Sequence, residues 1–176
     1  MQKSLTRIGL ISVAVLLAGT MVAARASTDA APPAAETAPA AKTPSETYRA
    51  ECGSCHLAYP AGLLPKASWQ RLLGRLDDHF GENAELDSEL RAKVERWLVD
   101  NAAESGGSKR GRKILRSLGG ERPLRISQTP YILEKHDDVK SSDFERPSVG
   151  SRANCIACHE GAERGDFDDD RVTIPK

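Results

Sequence analysis

Two pentapeptides govern what this chain can fold into. Cys52-Gly53-Ser54-Cys55-His56 and Cys155-Ile156-Ala157-Cys158-His159 both read C-x-x-C-H, and together they use all four cysteines. This is the attachment pattern of c-type haem. The reason is geometric. Two thiols three residues apart on a helical turn reach the two vinyl groups of one porphyrin and form thioethers. The histidine that follows is then held beneath the ring and gives its imidazole to the iron. Other uses of paired cysteines compete poorly. A thioredoxin-type dithiol belongs in a βαβ context that this sequence lacks. A zinc site would require Cys55 and Cys158, over a hundred positions apart, to converge. A C-x-x-C disulfide closes a very small loop and stabilises little. Two copies that exhaust the cysteines point to two covalently bound haem c groups, anchored by Cys52, Cys55, Cys155 and Cys158.

The compartment agrees. Met1 to Ala26 carry Lys3, Arg7 and Arg25 and no acid, with an uncharged run from Ile8 to Ala24 and a small-x-small site at Ala24-Arg25-Ala26. These are the parts of a cleaved signal peptide. With no twin arginine, the expected route is Sec-type export to the periplasm, where c-type haem is attached. Cleavage leaves 150 residues with 22 basic and 25 acidic side chains, a net charge of −3. That balance does not suit a nucleic-acid binder, and no later apolar run is long enough to span a membrane. Only eight aromatic residues remain, among many glycines, prolines and charges. A core short of large apolar side chains is what two embedded porphyrins would complete.

Along the chain, residues 27–44 are rich in Ala, Pro, Thr and Glu and read as a disordered tether. A first short helix is expected to hold Tyr48 and Cys52 to His56. Ser68 is a fair N-cap for a second helix, along which Trp69, Leu72, Leu73, Leu76, His79 and Phe80 recur at helical spacing until Gly81. Asp87 caps a third, with Leu90, Val94, Trp97 and Leu98 as its buried stripe. Gly106-Gly107 divides a first haem c unit, 45–105, from a second, 106–176. In the second unit, helices are expected over Arg112–Leu118, from Thr129-Pro130 to His136, and over Ser151–Glu160, with an irregular acidic tail from Asp166. No strand is evident. The expected fold is all-α and irregular, two small units of short helices each wrapped around one haem.

Each iron needs a sixth ligand or stays open. Both methionines, Met1 and Met21, lie in the signal, so methionine is unavailable. With His56 and His159 in the proximal positions, His79 and His136 are the remaining histidines, one per unit and each on an apolar helical stripe. Two vacancies and two candidates favour bis-histidine ligation of both haems, hence low potentials. His79 lies 23 residues after His56 and His136 lies 23 before His159, which favours local pairing. The crossed pairing is the alternative.

Longer strings resemble a known family. Cys52 through Pro60, Gly62-Leu63-Leu64-Pro65, Trp69, His79 through Ala84, Arg146 through Cys155 and Ala162 through Phe167 look like the bacterial dihaem cytochrome c family, over about Thr47 to Pro175. The resemblance implies a small periplasmic electron carrier with two bis-histidine haems. It also implies partners: a membrane-bound cytochrome b and a small oxygen-binding c-type haem protein. With both coordination shells full and no remaining cluster of acid, base and nucleophile, no enzyme activity is expected. The basic run Lys109 to Lys113 carries none of the resemblance and reads either as a docking patch for an acidic partner, as neutralisation of haem propionates, or as a solvated face. Two rival functions stand beside electron carriage: a haem enzyme or gas sensor with one open iron, and a dihaem subunit of a periplasmic reductase.

Overall fold

The computed structural model describes residues 41–176, which fall within one compact unit. The expected signal (1–26) and residues 27–40 of the expected tether lie outside them. The described residues form short α-helices joined by 3-10 turns and loops: α1 Pro44–Cys52, α2 Lys66–Leu73, α3 Ser88–Asp100, α4 Lys109–Leu118, α5 Pro130–Glu134 and α6 Ser141–Phe144. The only β-type pairings among them are two isolated bridges, His79 with Glu82 and His159 with Val172. The all-α, irregular expectation therefore holds.

Local chemistry explains where the helices start. α1 opens at Pro44, the last residue of the expected tether, because Thr43 and Glu46 form a capping box: the Thr43 hydroxyl accepts the Glu46 N–H at 3.3 Å and Glu46 accepts the Thr43 N–H at 2.8 Å. Such a cap contributes about 1 kcal/mol. Asp87 caps α3 as expected, accepting the N–H groups of Glu89 and Leu90 at 3.0 and 2.9 Å. α4 begins at Lys109, three residues before the expected start, since the Ser108 hydroxyl accepts the Gly111 N–H at 2.9 Å.

Other expected boundaries move. Ser68 is not an N-cap: it is buried in the first turn of α2. The helix starts at Lys66, whose N–H donates to the Glu104 carboxylate at 3.0 Å, a cap supplied from 38 residues away. α2 stops at Leu73, with Gly74 as its C-cap, so His79 and Phe80 lie beyond it, past a 3-10 turn over Leu76–Asp78. Thr129 occupies the N-cap position of α5 without a capping bond, and the Ser117 hydroxyl accepts the Tyr131 N–H instead, at 3.2 Å. α5 ends at Glu134, leaving His136 in the following turn. The helix expected over Ser151–Glu160 is reduced to one 3-10 turn, Cys155–Ala157. Ser151 accepts the Ala153 N–H and Asn154 donates to the Val149 carbonyl at 2.8 Å, local bonds that compete with a helical ladder. α6 was not anticipated.

The main apolar cluster joins α1, α2 and α3 through Tyr48, Leu64, Trp69, Leu73, Leu76, Val94 and Leu98. Burying each large side chain contributes roughly 1.5–3 kcal/mol. The Trp69 indole donates to the Ala61 carbonyl at 2.7 Å and the Tyr48 hydroxyl to the Tyr59 carbonyl at 2.7 Å, so the polar ends of these side chains are satisfied. A smaller cluster sets Leu63 against Ile114 and Leu118 of α4. Neighbouring Leu63 and Leu64 thus serve different clusters. α4 comes close enough to this layer that a Cβ on Gly111 would lie 2.7 Å from the Ala103 carbonyl oxygen.

Candidate haem-binding site

The first motif begins where α1 ends. Cys52 is the last helical residue, and the Gly53 N–H closes the helix on the Arg49 carbonyl at 3.0 Å. A Cβ on Gly53 would sit 2.2 Å from that oxygen, so glycine permits the chain to turn at once. Cys55 and His56 follow in the turn rather than on the expected helix. The second motif is one helical turn: the Cys155 carbonyl accepts the N–H of Cys158 at 3.3 Å and of His159 at 2.8 Å.

His79 is presented by a tight turn whose two central residues, Phe80 (φ 62) and Gly81 (φ 99), both have positive φ. The His79 N–H reaches the Glu82 carbonyl at 2.8 Å. Phe80 is the sole non-glycine residue in that region among the described residues, and Arg125 lies 3.9 Å over its ring. Such strain persists only where the surroundings hold it.

The structure brings the histidines together in two local pairs. The His56 and His79 ring centres are 6.1 Å apart with planes 18° from parallel. The His136 and His159 centres are 6.0 Å apart at 77°. Two metal–nitrogen bonds of about 2 Å, plus roughly 1 Å from each nitrogen to its ring centre, add up to about 6 Å. Each pair is therefore spaced to hold one metal ion between two imidazoles. One ring in each pair is also oriented by a backbone carbonyl: His56 Nδ1 lies 2.7 Å from the Leu57 oxygen and His136 Nδ1 lies 2.7 Å from the Ile132 oxygen. A carbonyl can only accept, so Nδ1 carries the proton and Nε2 is the free ligand atom.

All four cysteines and all four histidines line one cavity of about 1570 Å³. This exceeds the roughly 300–1,000 Å³ of a pocket for a single small ligand. No disulfide joins any of the four cysteines. Burial pushes the Cys52 thiol up to about 11 and raises Cys155 and Cys158 as well. Burial, then the paired imidazole, holds His79 and His159 below the ordinary histidine value, which favours the neutral, ligating form. No group of three or more His, Cys, Asp or Glu converges among the described residues, so the four-cysteine zinc alternative has no basis in the geometry. Pairs of axial ligands are what a porphyrin, with its own four nitrogens, requires.

Several side chains around the cavity escaped the sequence reading. Phe144 of α6 lies 6.3 Å from His136, with Arg152 at 4.1 Å over its ring. Phe167 lies 5.3 Å from His159, with Arg110 at 5.0 Å over its ring. Tyr59 packs 5.2 Å from His56 and donates to the Ala153 carbonyl at 2.6 Å, tying one motif to the approach of the other. The Tyr59 spacing, three residues after His56, was a legible hint; the arginine partners had no local signal.

The family model for dihaem cytochrome c matches residues 48–167. A diheme cytochrome c from Rhodobacter sphaeroides is similar at 47% identity over 69% of this chain and 94% of its own, with a TM-score of 0.62. A diheme cytochrome type c from Shewanella baltica is similar at 38% identity over 76% of this chain and 95% of its own, with a TM-score of 0.63. No curated protein matches the chain.

Proposed function

The chain belongs to the dihaem cytochrome c family and carries two covalently bound haem c groups, and from that premise we propose that it is an exported, periplasmic carrier of single electrons whose haems are both bis-histidine ligated. The observation that supports the ligation most directly is the pair of imidazole couples, 6.1 and 6.0 Å between ring centres, opening into the cavity that both cysteine pairs line. Cys52, Cys55, His56 and His79 hold the first haem, and Cys155, Cys158, His159 and His136 hold the second. When bound, the haems supply reversible one-electron chemistry. The chain's residues anchor and orient: the thiols form thioethers, the Leu57 and Ile132 carbonyls set two imidazole tautomers, and the Phe80, Phe144 and Phe167 rings pack beside the ligands. Low potentials follow from the lack of any methionine after residue 26, since a methionine ligand raises the potential relative to histidine.

The reading includes no substrate chemistry, because both thiol pairs and all four imidazoles are engaged in holding haem. Export rests on the basic, then apolar, N-terminal sequence, and no described helix is long and apolar enough to cross a membrane. A membrane-bound cytochrome b and a small oxygen-binding c-type haem protein are proposed as redox partners on the family resemblance alone. A redox titration followed by absorption and paramagnetic resonance tests the whole reading. Two low-spin haems titrating at low potential, with no carbon monoxide binding by the ferrous protein, are expected. A high-spin native haem, or ready carbon monoxide binding, would replace this reading with the open-iron enzyme or sensor.

A further inference from the structure

Residues 109–125 carry seven cations and a single acid, Glu121. Most sit on α4, which buries Gly111, Ile114 and Leu118 on one side. Lys109, Arg112, Lys113 and Arg116 form an exposed stripe on the other. None of the four has a carboxylate partner among the described residues; the ion pairs found there involve other cations. The helix also has no acid in its first turn, so Lys109 and Arg110 stand at the positive end of its dipole, where cations are disfavoured. The patch runs into the cavity mouth. Lys109, Arg110 and Lys113 line it, Lys113 lies 5.8 Å over the Tyr131 ring, and Arg110 lies over Phe167, the ring beside His159.

We propose that the outer face of α4 is the docking surface for an acidic redox protein and directs its redox group to the cavity mouth. This rests on the dihaem reading above. Unpaired positive charge reinforced by a helix N-terminus concentrates an acidic partner at this face and speeds the encounter. The acidic balance of residues 27–105, 8 basic against 13 acidic side chains, disfavours approach from the other half. Once docked, one electron leaves the reduced partner and one ferric haem takes it; no bond or proton moves.

The test is stopped-flow reduction of the haem-loaded protein by a reduced, acidic plant-type [2Fe–2S] ferredoxin at low and high salt. The rate constant is expected to fall about tenfold or more as salt screens the encounter. Arg112→Glu with Arg116→Glu is expected to remove about tenfold of the rate at low salt, and Arg112→Gln with Arg116→Gln a smaller part. Neither residue lines the cavity, so haem content, spin state and potentials should stay unchanged in both. Arg91→Glu with Arg96→Glu on α3 changes the net charge equally, and its rate should remain within about twofold of the parent. Equal losses from the α3 and α4 pairs, or a rate insensitive to salt, overturn the docking surface. A parent protein lacking two low-spin haems overturns the dihaem reading instead, and that is visible in its spectrum before any ferredoxin is added.

Discussion

The two haem-binding regions solve one chemical problem with different material. Around His56 and His79, helices α1, α2 and α3 pack a continuous apolar cluster whose members include fully buried Leu64 and Val94. Around His136 and His159, the chain is built from the short helices α5 and α6, single 3-10 turns and side-chain-to-backbone bonds, with Thr129, Val149 and Ala162 as its buried residues. The first region has a core of its own that the cofactor completes. The second has little apolar mass to bury, so its order depends far more on the group it binds, as in small metal-dependent folds. The imidazole planes differ too, near parallel in the first and near perpendicular in the second. Sequence symmetry between two C-x-x-C-H motifs therefore does not extend to the architecture that supports them.

The largest effect that tests this contrast comes from removing one attachment site at a time. Cys155→Ala with Cys158→Ala should leave one covalent haem and abolish most hydrogen-exchange protection over residues 129–176. Cys52→Ala with Cys55→Ala should also leave one haem yet preserve much of the protection in α2 and α3. Mass spectrometry counts the haems, and exchange measured on both proteins compares the regions. Equal loss of protection in the two proteins would break the contrast.

Single ligand changes come next. His79→Ala should convert the Cys52–His56 haem to a high-spin form that takes carbon monoxide, and His136→Ala should do the same to the Cys155–His159 haem. The parent protein should show two distinct low-spin resonance signals. Parallel imidazole planes split the two iron orbitals that mix with the ring π systems and give a well-spread rhombic spectrum. Perpendicular planes leave those orbitals nearly degenerate and give a strongly anisotropic one. His79→Ala should erase the first signal and His136→Ala the second. Each histidine affecting the haem of the other motif would establish the crossed pairing.

The smallest expected effect concerns the joint between the regions. Gly111→Ala forces a methyl group to 2.7 Å from the Ala103 oxygen, so α4 must shift away from the first region. Overpacking of this kind costs about 1–3 kcal/mol, read as a lowered thermal midpoint, with both haems retained. Gly106→Ala meets its nearest neighbour only at 3.9 Å and should be close to neutral.

The N-cap at Asp87 was legible because such a cap is a local event: the side chain bonds backbone two and three residues away. The start of α2 was not legible, since the cap at Lys66 is the carboxylate of Glu104. Its end was misread for a different reason. Trp69, Leu72, Leu73 and Leu76 share an apolar face, but periodicity reports which side is buried and not whether the backbone stays continuous, and Gly74 ends the helix inside the stripe. The reading of Ser151–Glu160 failed because short polar side chains there bond the backbone and outcompete a ladder that no packed face would have stabilised.

Composition and local spacing by themselves determined the covalent chemistry: two cysteine pairs, each followed by histidine, two histidines left over, and no methionine beyond residue 26. Those are properties of an inventory, unaffected by how the chain closes on itself. Only the tertiary structure decided which imidazole faces which, at what angle, and which arginines turn toward the cavity or away from it. Each of those depends on loops closing over tens of residues, as when the chain from His56 to His79 folds back to within 6.1 Å. The cost of such a closure varies only slowly with loop length, so packing against α1, α2 and α3, not spacing, selects the pairing.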